Sequence, residues 1–388
     1  MKTGGPLQEI ATARDKDYFL RGLDHTVCRF RAAPRSYKTS SPLENEVLSF
    51  IRQHPGATIS DIQQSSSSLK ALDHVQARSL LVSLVDAGAL QVVGHVPLEQ
   101  VDRRYERIRA CDVCGTPSRR HPVVFWKYNT PVVRCTSCGL LYSNPRWKTE
   151  HLFGRYTTDF WQQYADKISR TAPDETTNLD RWYPYLSTLG PVRQMGRLLD
   201  VGCATGEFLV AAKAQGWEVY GVETSPIAAG RAEQAAGASI HVGTLESAPY
   251  EDSWFDAVTL WDVIEHVQSP MSYMQQAARL VRPGGLVALT TPNIRSAAFK
   301  LLGPKWWVVG PNDHIYYFAP RTMQRLLTRC GLKIYVMHTD GGTIETWRKW
   351  LRYPPAHRLA PLLQAIIKPL ARRFLWGDEL YVVARREQ

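Results

Sequence analysis

No apolar run in these 388 residues is long enough to cross a bilayer, which excludes an integral helical membrane protein. Residues 1–21 lack the apolar stretch of a secretory signal, so the expected location is cytoplasmic. Cysteine is sparse and odd in number: Cys28, Cys111, Cys114, Cys135, Cys138, Cys203 and Cys330. That count argues against a disulfide framework. Internal repeats are not evident, and the Ser65 to Ser68 run is the only low-complexity patch. The three-glycine dinucleotide fingerprint is also missing.

A hydrophobic content of 44% supports packed cores, and the length implies two or three domains. The net charge of +11 is uneven. Residues 41–100 carry three basic and six acidic side chains, residues 101–150 ten and four, and residues 345–388 nine and four. An anionic partner would therefore meet the middle or the tail of the chain.

Residues 1–40 show no period and read as a mobile or loosely docked arm. From Pro42 a helical stripe appears at Leu43, Val47, Phe50 and Ile51. Thr58 reads as the cap of a second helix with Asp61 in its first turn. Leu69 to Leu84 gives a third helix, and Ala89 to Val93 a strand. Three short helices and a strand over 41–100 are winged-helix-like. The third helix offers Lys70 and Arg78 against Asp73 and Asp86, a poor surface for phosphates. DNA binding is therefore disfavoured, and a homodimer contact or a wall of the substrate pocket fits better.

Cys111-Asp-Val-Cys114 and Cys135-Thr-Ser-Cys138 stand twenty residues apart, each pair followed by glycine, Gly115 and Gly139. Two-residue spacing lets both sulfurs of a pair reach one tetrahedral ion, so residues 101–150 read as a four-cysteine zinc ribbon. Four thiolates leave no open position for water, which makes the zinc structural. The second pair runs into Gly139-Leu-Leu-Tyr-Ser-Asn-Pro-Arg146 and then a tyrosine-bearing helix through Tyr156 and Tyr164.

Leu198-Leu-Asp-Val-Gly-Cys-Ala-Thr-Gly206 is a strand-like run ending in a glycine turn, with a helix from Glu207. Glycines allow close backbone approach to a ligand, and the amides opening the next helix face a polar group. A second strand, Trp217 to Val222, ends on Glu223, whose carboxylate suits two ribose hydroxyls. Phe255 to Trp261 reads as a fourth strand. The turn Val281-Arg-Pro-Gly-Gly285 leads into a fifth, Leu286 to Pro292.

This order resembles the class I S-adenosylmethionine-dependent methyltransferases, over about residues 178–386. The subgroup it is most similar to carries Asp-Val-Ile-Glu-His after the fourth strand. The resemblance implies a Rossmann-like, doubly wound α/β domain over 151–388. It implies cofactor contacts from Asp200, Gly202, Cys203, Ala204, Gly206, Glu223, Leu245 and Asp262. One departure is Thr244, where many members place an acid near the adenine. Small methyltransferases of polysaccharide and natural-product clusters begin with a similar ribbon, and so do some ribosomal-RNA methyltransferases.

Trp261-Asp262-Val-Ile-Glu265-His266 falls at the carboxyl end of the fourth strand, the ligand edge of an open α/β sheet. A helical turn there would align Asp262, Glu265 and His266. His314 follows downstream in Pro311-Asn-Asp-His-Ile-Tyr-Tyr-Phe318. The set looks like that of metal-dependent 2′-O-methyltransferases of small-RNA ends and of ubiquinone-pathway O-methyltransferases. A magnesium or manganese ion there would hold an acceptor hydroxyl and lower its pKa. The other reading makes His266 or His314 a metal-free general base. Trp306-Trp307 with Tyr316-Tyr317 offers an aromatic acceptor pocket.

The basic, amphipathic stretch 347–376 reads as a helical insertion over the pocket, with peripheral membrane contact as the alternative. The expected activity is methyl transfer to a small molecule, a sugar or secondary metabolite, with oxygen the favoured atom. Two rivals stand beside it: an RNA methyltransferase, and a cofactor-sensing DNA- or partner-binding protein.

Overall fold

The computed structural model describes residues 28–32, 41–72 and 76–95 with gaps, 105–148 except 128–129, 179–340 except 312, and 371–387. The Tyr156–Tyr164 helix and most of the expected insertion (345–370) lie outside the described residues. Contacts divide the chain into two compact units. One holds Met1–Ile108, Val123–Val132 and Ser143–Trp147; the other holds Arg109–Pro122, Val133–Tyr142 and Lys148–Gln388. The expected boundaries differ here. Both cysteine pairs, with all of Arg109–Pro122 and Val133–Tyr142, belong to the second unit, while 101–108, Val123–Val132 and Ser143–Trp147 go with the first.

In the first unit, Ser41 caps the helix Pro42–Gln53 by accepting from the Glu44 amide at 3.2 Å, and proline takes the first turn where no amide is needed. Val47, Leu48 and Ile51 pack with Ile62, Leu69, Leu81 and Leu84. A second helix covers Ile59–Gln64, and Ser67–Lys70 forms a short third, beyond which much of the expected helix is outside the described residues. The expected strand is Leu90–His95, and it pairs antiparallel with Cys28–Ala32. The sequence placed no element in 1–40. A lone strand leaves its backbone groups unpaired, and residues 28–32 supply the partner.

The second unit is built on a seven-stranded sheet. Its elements are β1 (Arg197–Val201), α1 (Glu207–Ala214), β2 (Glu218–Glu223), α2 (Pro226–Ala236), β3 (Ser239–Val242), β4 (Phe255–Trp261), α3 (Pro270–Leu280), β5 (Val281–Pro292), α4 (Pro320–Arg329), β6 (Leu332–Asp340) and β7 (Glu379–Arg386). The strand order is β3-β2-β1-β4-β5-β7-β6. Strands β3 to β5 run parallel, and β7 is antiparallel to both neighbours. The first six residues of β4 are all buried, as a central parallel strand requires, because helices cover both faces.

The turn expected at Val281–Gly285 lies inside β5. Val281 pairs with Phe255, the next pair is Ala257 with Leu286, and residues 282–285 bulge out. A side chain on Gly285 would sit 2.7 Å from the Asp256 carbonyl oxygen. The strand order reverses between β1 and β4, which opens a crevice at their carboxyl ends. Among the described residues no helix is long and apolar enough to cross a membrane.

Candidate active site

A cleft of about 220 Å³ lies at that reversal point. Gly202, Ala204, Glu223, Asp262, Val263, His266 and Tyr273 are among its walls. The turn after β1 holds Gly202, Ala204 and Gly206 at positive φ, 70°, 48° and 85°. The expected reason for the glycines was room for a ligand, and the structure gives another. A Cβ on Gly202 would meet Val263 Cγ2 at 2.7 Å, and one on Gly206 would meet the Ala232 Cα at 2.8 Å. The first glycine lets the turn approach the loop after β4, and the second lets α1 start against α2.

Glu223 ends β2 and lines the cleft. Its Oε2 accepts from the Ala204 amide at 3.1 Å, and its Oε1 from the Ser225 amide at 2.8 Å. Burial lifts its carboxyl above the usual range, and these amides oppose the lift. Thr224 Oγ1 also donates to Oε1 at 3.3 Å, so Oε2 is the oxygen that keeps a further lone pair, and the carboxylate is held in place and still able to accept from a ligand.

Asp200, Cys203 and Leu245 are buried and are absent from the cleft wall. Asp200 Oδ1 accepts from Thr259 Oγ1 at 2.7 Å and ties β1 to β4. Burial pushes its carboxyl up to about 8. Cys203 packs in the core beneath Gly221. Leu245 starts a short 3₁₀ turn with its side chain fully enclosed. These three expected cofactor residues therefore lie behind the cleft wall, while Gly243 reaches it.

Residues after β4 form turns rather than a helix, with His266 N bonded to the Val263 carbonyl at 2.9 Å. Asp262 takes φ 52° and lines the cleft. Its amide donates to Thr290 Oγ1 at 3.0 Å, and that hydroxyl donates to Asp262 Oδ1 at 3.1 Å. Glu265 is 1% exposed, and its Oε2 accepts from Thr291 Oγ1 at 3.0 Å. Burial pushes this carboxyl up to about 8. Its other oxygen, Oε1, is buried with no hydrogen-bond partner.

His314 comes to this spot from far along the chain. Donor atoms of Glu265, His266 and His314 all lie within 4.8 Å of one another. Asp262 is outside that cluster, because Thr290 holds its carboxylate. His266 Nδ1 is 3.0 Å from the Asp313 carbonyl oxygen, and Nε2 is 4.0 Å from Glu265 Oε1. Burial opposes charge on the His266 ring, yet Asp313 and Glu265 outweigh it and hold the ring above its ordinary range. Two histidine nitrogens and a carboxylate oxygen without a hydrogen-bond partner make a donor set that fits a divalent cation.

The aromatic acceptor pocket does not form as expected. Trp306, Tyr316 and Tyr317 are at most 2% exposed and serve as core, while Trp307 is 65% exposed. None of the four lines the cleft. Four residues near the chemistry were missed: Tyr273, Thr290, Thr291 and Asp313. The threonine pair left a readable signal, two adjacent hydroxyls at the carboxyl end of an apolar strand.

The second cluster is Cys111, Cys114, Cys135 and Cys138, again within 4.8 Å of one another. Sγ–Sγ separations are 3.5 Å for Cys111–Cys138 and 3.4 Å for Cys114–Cys135. Tetrahedral zinc at about 2.3 Å from each sulfur needs separations near 3.8 Å, a small outward shift. Gly115 and Gly139, at φ 74° and 82°, close each knuckle by donating to the Cys111 and Cys135 carbonyls. Burial holds the Cys135 thiol above its ordinary range.

Residues 156–336 match the family described as a methyltransferase domain. The chain is 31% identical over 149 residues to a ubiquinone biosynthesis O-methyltransferase of Aromatoleum aromaticum, covering 35% of this chain and 64% of that protein. To the protein of the same name from Ruegeria pomeroyi it is 33% identical over 149 residues, covering 35% and 60%. The match thus spans less than two thirds of these relatives. Among solved structures, an S-adenosylmethionine dependent methyltransferase from Mesorhizobium loti is similar at TM-score 0.37 and 18% identity, covering 52% of this chain and 96% of that one.

Proposed function

Starting from a chain that carries a class I S-adenosylmethionine-dependent methyltransferase domain at residues 156–336, we propose that it methylates a hydroxyl oxygen of a small-molecule acceptor. The observation that carries this reading is the meeting of Glu265, His266 and His314 beside the cleft. Similarity to proteins named O-methyltransferases supports oxygen as the target.

Bound S-adenosylmethionine would supply an electrophilic methyl group on its sulfonium. Glu223 would accept from the two ribose hydroxyls, in an orientation set by the Ala204 and Ser225 amides. Gly202 and Ala204 would form the floor under the methionine part, and Tyr273 and Val263 would keep water from the far wall. Alignment and exclusion of water are most of what such a transfer needs.

The acceptor must lose a proton as its oxygen attacks. His266 and His314, with Glu265 Oε1, could hold a divalent ion that lowers the pKa of that hydroxyl. Two imidazoles favour manganese or a softer ion over magnesium. Without an ion, His266 would take the proton itself, and Asp313 would steady the ring through Nδ1.

The four cysteines would hold one structural zinc, supported by their mutual distances and by the two glycine-closed knuckles. The deciding experiment supplies purified protein and radiolabelled S-adenosylmethionine to fractionated cell metabolites and, separately, to total RNA. Label in a small-molecule ether supports the reading. Label in RNA alone overturns it in favour of the nucleic-acid rival.

A further inference from the structure

Both cysteine pairs are tied to the loop that carries Glu265 and His266. Asp112 lies between Cys111 and Cys114. It accepts from the Met271 amide at 2.8 Å through Oδ2 and from Ser269 Oγ at 2.9 Å through Oδ1. Ser269 is itself the cap of α3 and accepts from the Ser272 amide at 3.1 Å. The first pair therefore anchors the start of α3, three residues after His266.

The second pair is tied to the same loop. Cys135 donates its amide to the Leu140 carbonyl at 2.8 Å, and the chain continues into Leu141 and Tyr142. These two are antiparallel register partners of Tyr317 and Tyr316. Tyr316 in turn binds the loop. Its Oη donates to the Gln268 carbonyl at 3.1 Å, and its amide and that of Ile315 donate to the Glu265 carbonyl at 3.1 and 2.9 Å. His314 precedes this stretch by one residue.

We propose that the four-sulfur site positions the Glu265–His266–His314 cluster, with Asp112 as the positioning residue that ties the first cysteine pair to α3. This rests on the reading that the four sulfurs hold a metal ion. One ion bonded to both pairs fixes the Asp112 grip relative to the Leu141–Tyr142 grip. The loop is then confined by both grips, and His314 is brought to Glu265 and His266. Without the ion the direct links between the pairs are the twenty intervening residues, weak thiol contacts and the hydrogen bond between His121 Nδ1 and Tyr142 Oη at 2.7 Å. The methyl-donor side stands apart, since among the described residues no hydrogen bond joins Gly202, Ala204 or Glu223 to either knuckle.

The test uses the full chain, its metal content, hydrogen exchange read by mass spectrometry, and calorimetry with S-adenosylhomocysteine as the probe. Asp112→Ala should keep its metal and bind the probe within about twofold of the wild type. Exchange in 263–271 and 314–317 should rise about tenfold or more, with the rest of the sheet unchanged. Asp112→Asn keeps an oxygen for the Met271 amide and should restore most of the protection. Removing the metal by chelation, or by Cys111→Ser with Cys138→Ser, should loosen the same two segments. Unchanged exchange there after metal loss overturns the positioning role while leaving the metal reading intact. A rise spread evenly over the domain overturns it too, because that marks general destabilisation. Wild-type protein that holds no metal overturns the underlying metal reading itself.

Discussion

His266 and His314 meet edge to face, with ring centroids 4.5 Å apart and an interplanar angle of 84°. The contact joins the turn after β4 to the segment before α4. It puts two imidazoles beside Glu265, whose Oε1 is buried without a hydrogen-bond partner. A single substitution at either ring should therefore disturb the same chemistry.

His266→Ala and His314→Ala should each lower turnover on the true acceptor by about a hundredfold. The two mechanisms separate under chelation. A catalytic ion predicts loss with a mild chelator and recovery with manganese, the structural metal staying bound. A histidine base predicts no chelator effect. If both variants keep near-normal turnover, neither mechanism holds.

The pH profile carries a sign. A base must be neutral to accept a proton, and His266 is held above its ordinary value by Asp313 and Glu265. As pH falls through that raised value the ring becomes charged and activity is lost. The acid limb of metal-free turnover should therefore lie above about 6.5. Asp313→Asn should move it lower. A limb at or below 6.5 that ignores Asp313→Asn would count against His266 as the base.

Cofactor binding should separate the carboxylate that ends β2 from the glycine turn after β1. Glu223→Ala removes charge-assisted bonds to ribose and should weaken S-adenosylhomocysteine by about 1.5–3 kcal/mol in calorimetry. Gly206→Ala forces a side chain against the Ala232 backbone at positive φ. It should act on stability, costing about 2 kcal/mol or more in denaturant unfolding. Unchanged affinity in Glu223→Ala would remove the ribose assignment.

Purified protein should carry about one zinc per chain, and Cys111→Ser with Cys138→Ser should abolish it. Elemental analysis decides this. Metal-free protein prepared without chelator is the result that refutes it.

Asp200 should leave a mark on stability against pH in the cofactor-free protein. Its folded pKa of about 8 lies above an unfolded value of about 3.9. The native state keeps a proton that the unfolded chain releases between those values. The stability from this group is complete below about pH 4 and is lost as pH rises toward 8. Asp200→Asn should flatten that decline in urea titrations at pH 5 and 8. Parallel slopes for wild type and variant would show that Asp200 is ionised in the fold.

Much of this protein was legible in its sequence because the signals are local. The strand and glycine-turn order from Leu198 to Pro292 fixes which segments become β1, β2, β4 and β5, since each strand end is written in adjacent residues. Paired cysteines two residues apart, each followed by a glycine able to take positive φ, mark both knuckles for the same reason. Tertiary structure decided the rest. Successive side chains in a strand face opposite ways, and only packing settles which face meets the cleft. Asp200 thus turned to Thr259 and the core while Glu223 met the cavity. The aromatic run Tyr316-Tyr317 was taken into the interior by its ladder with Leu141 and Tyr142. Residues 28–32 became a strand because Leu90–His95 needed a partner. The union of His314 with Glu265 and His266, and the reach of Asp112 to α3, join residues far apart in the chain, and no local spacing encodes such a meeting.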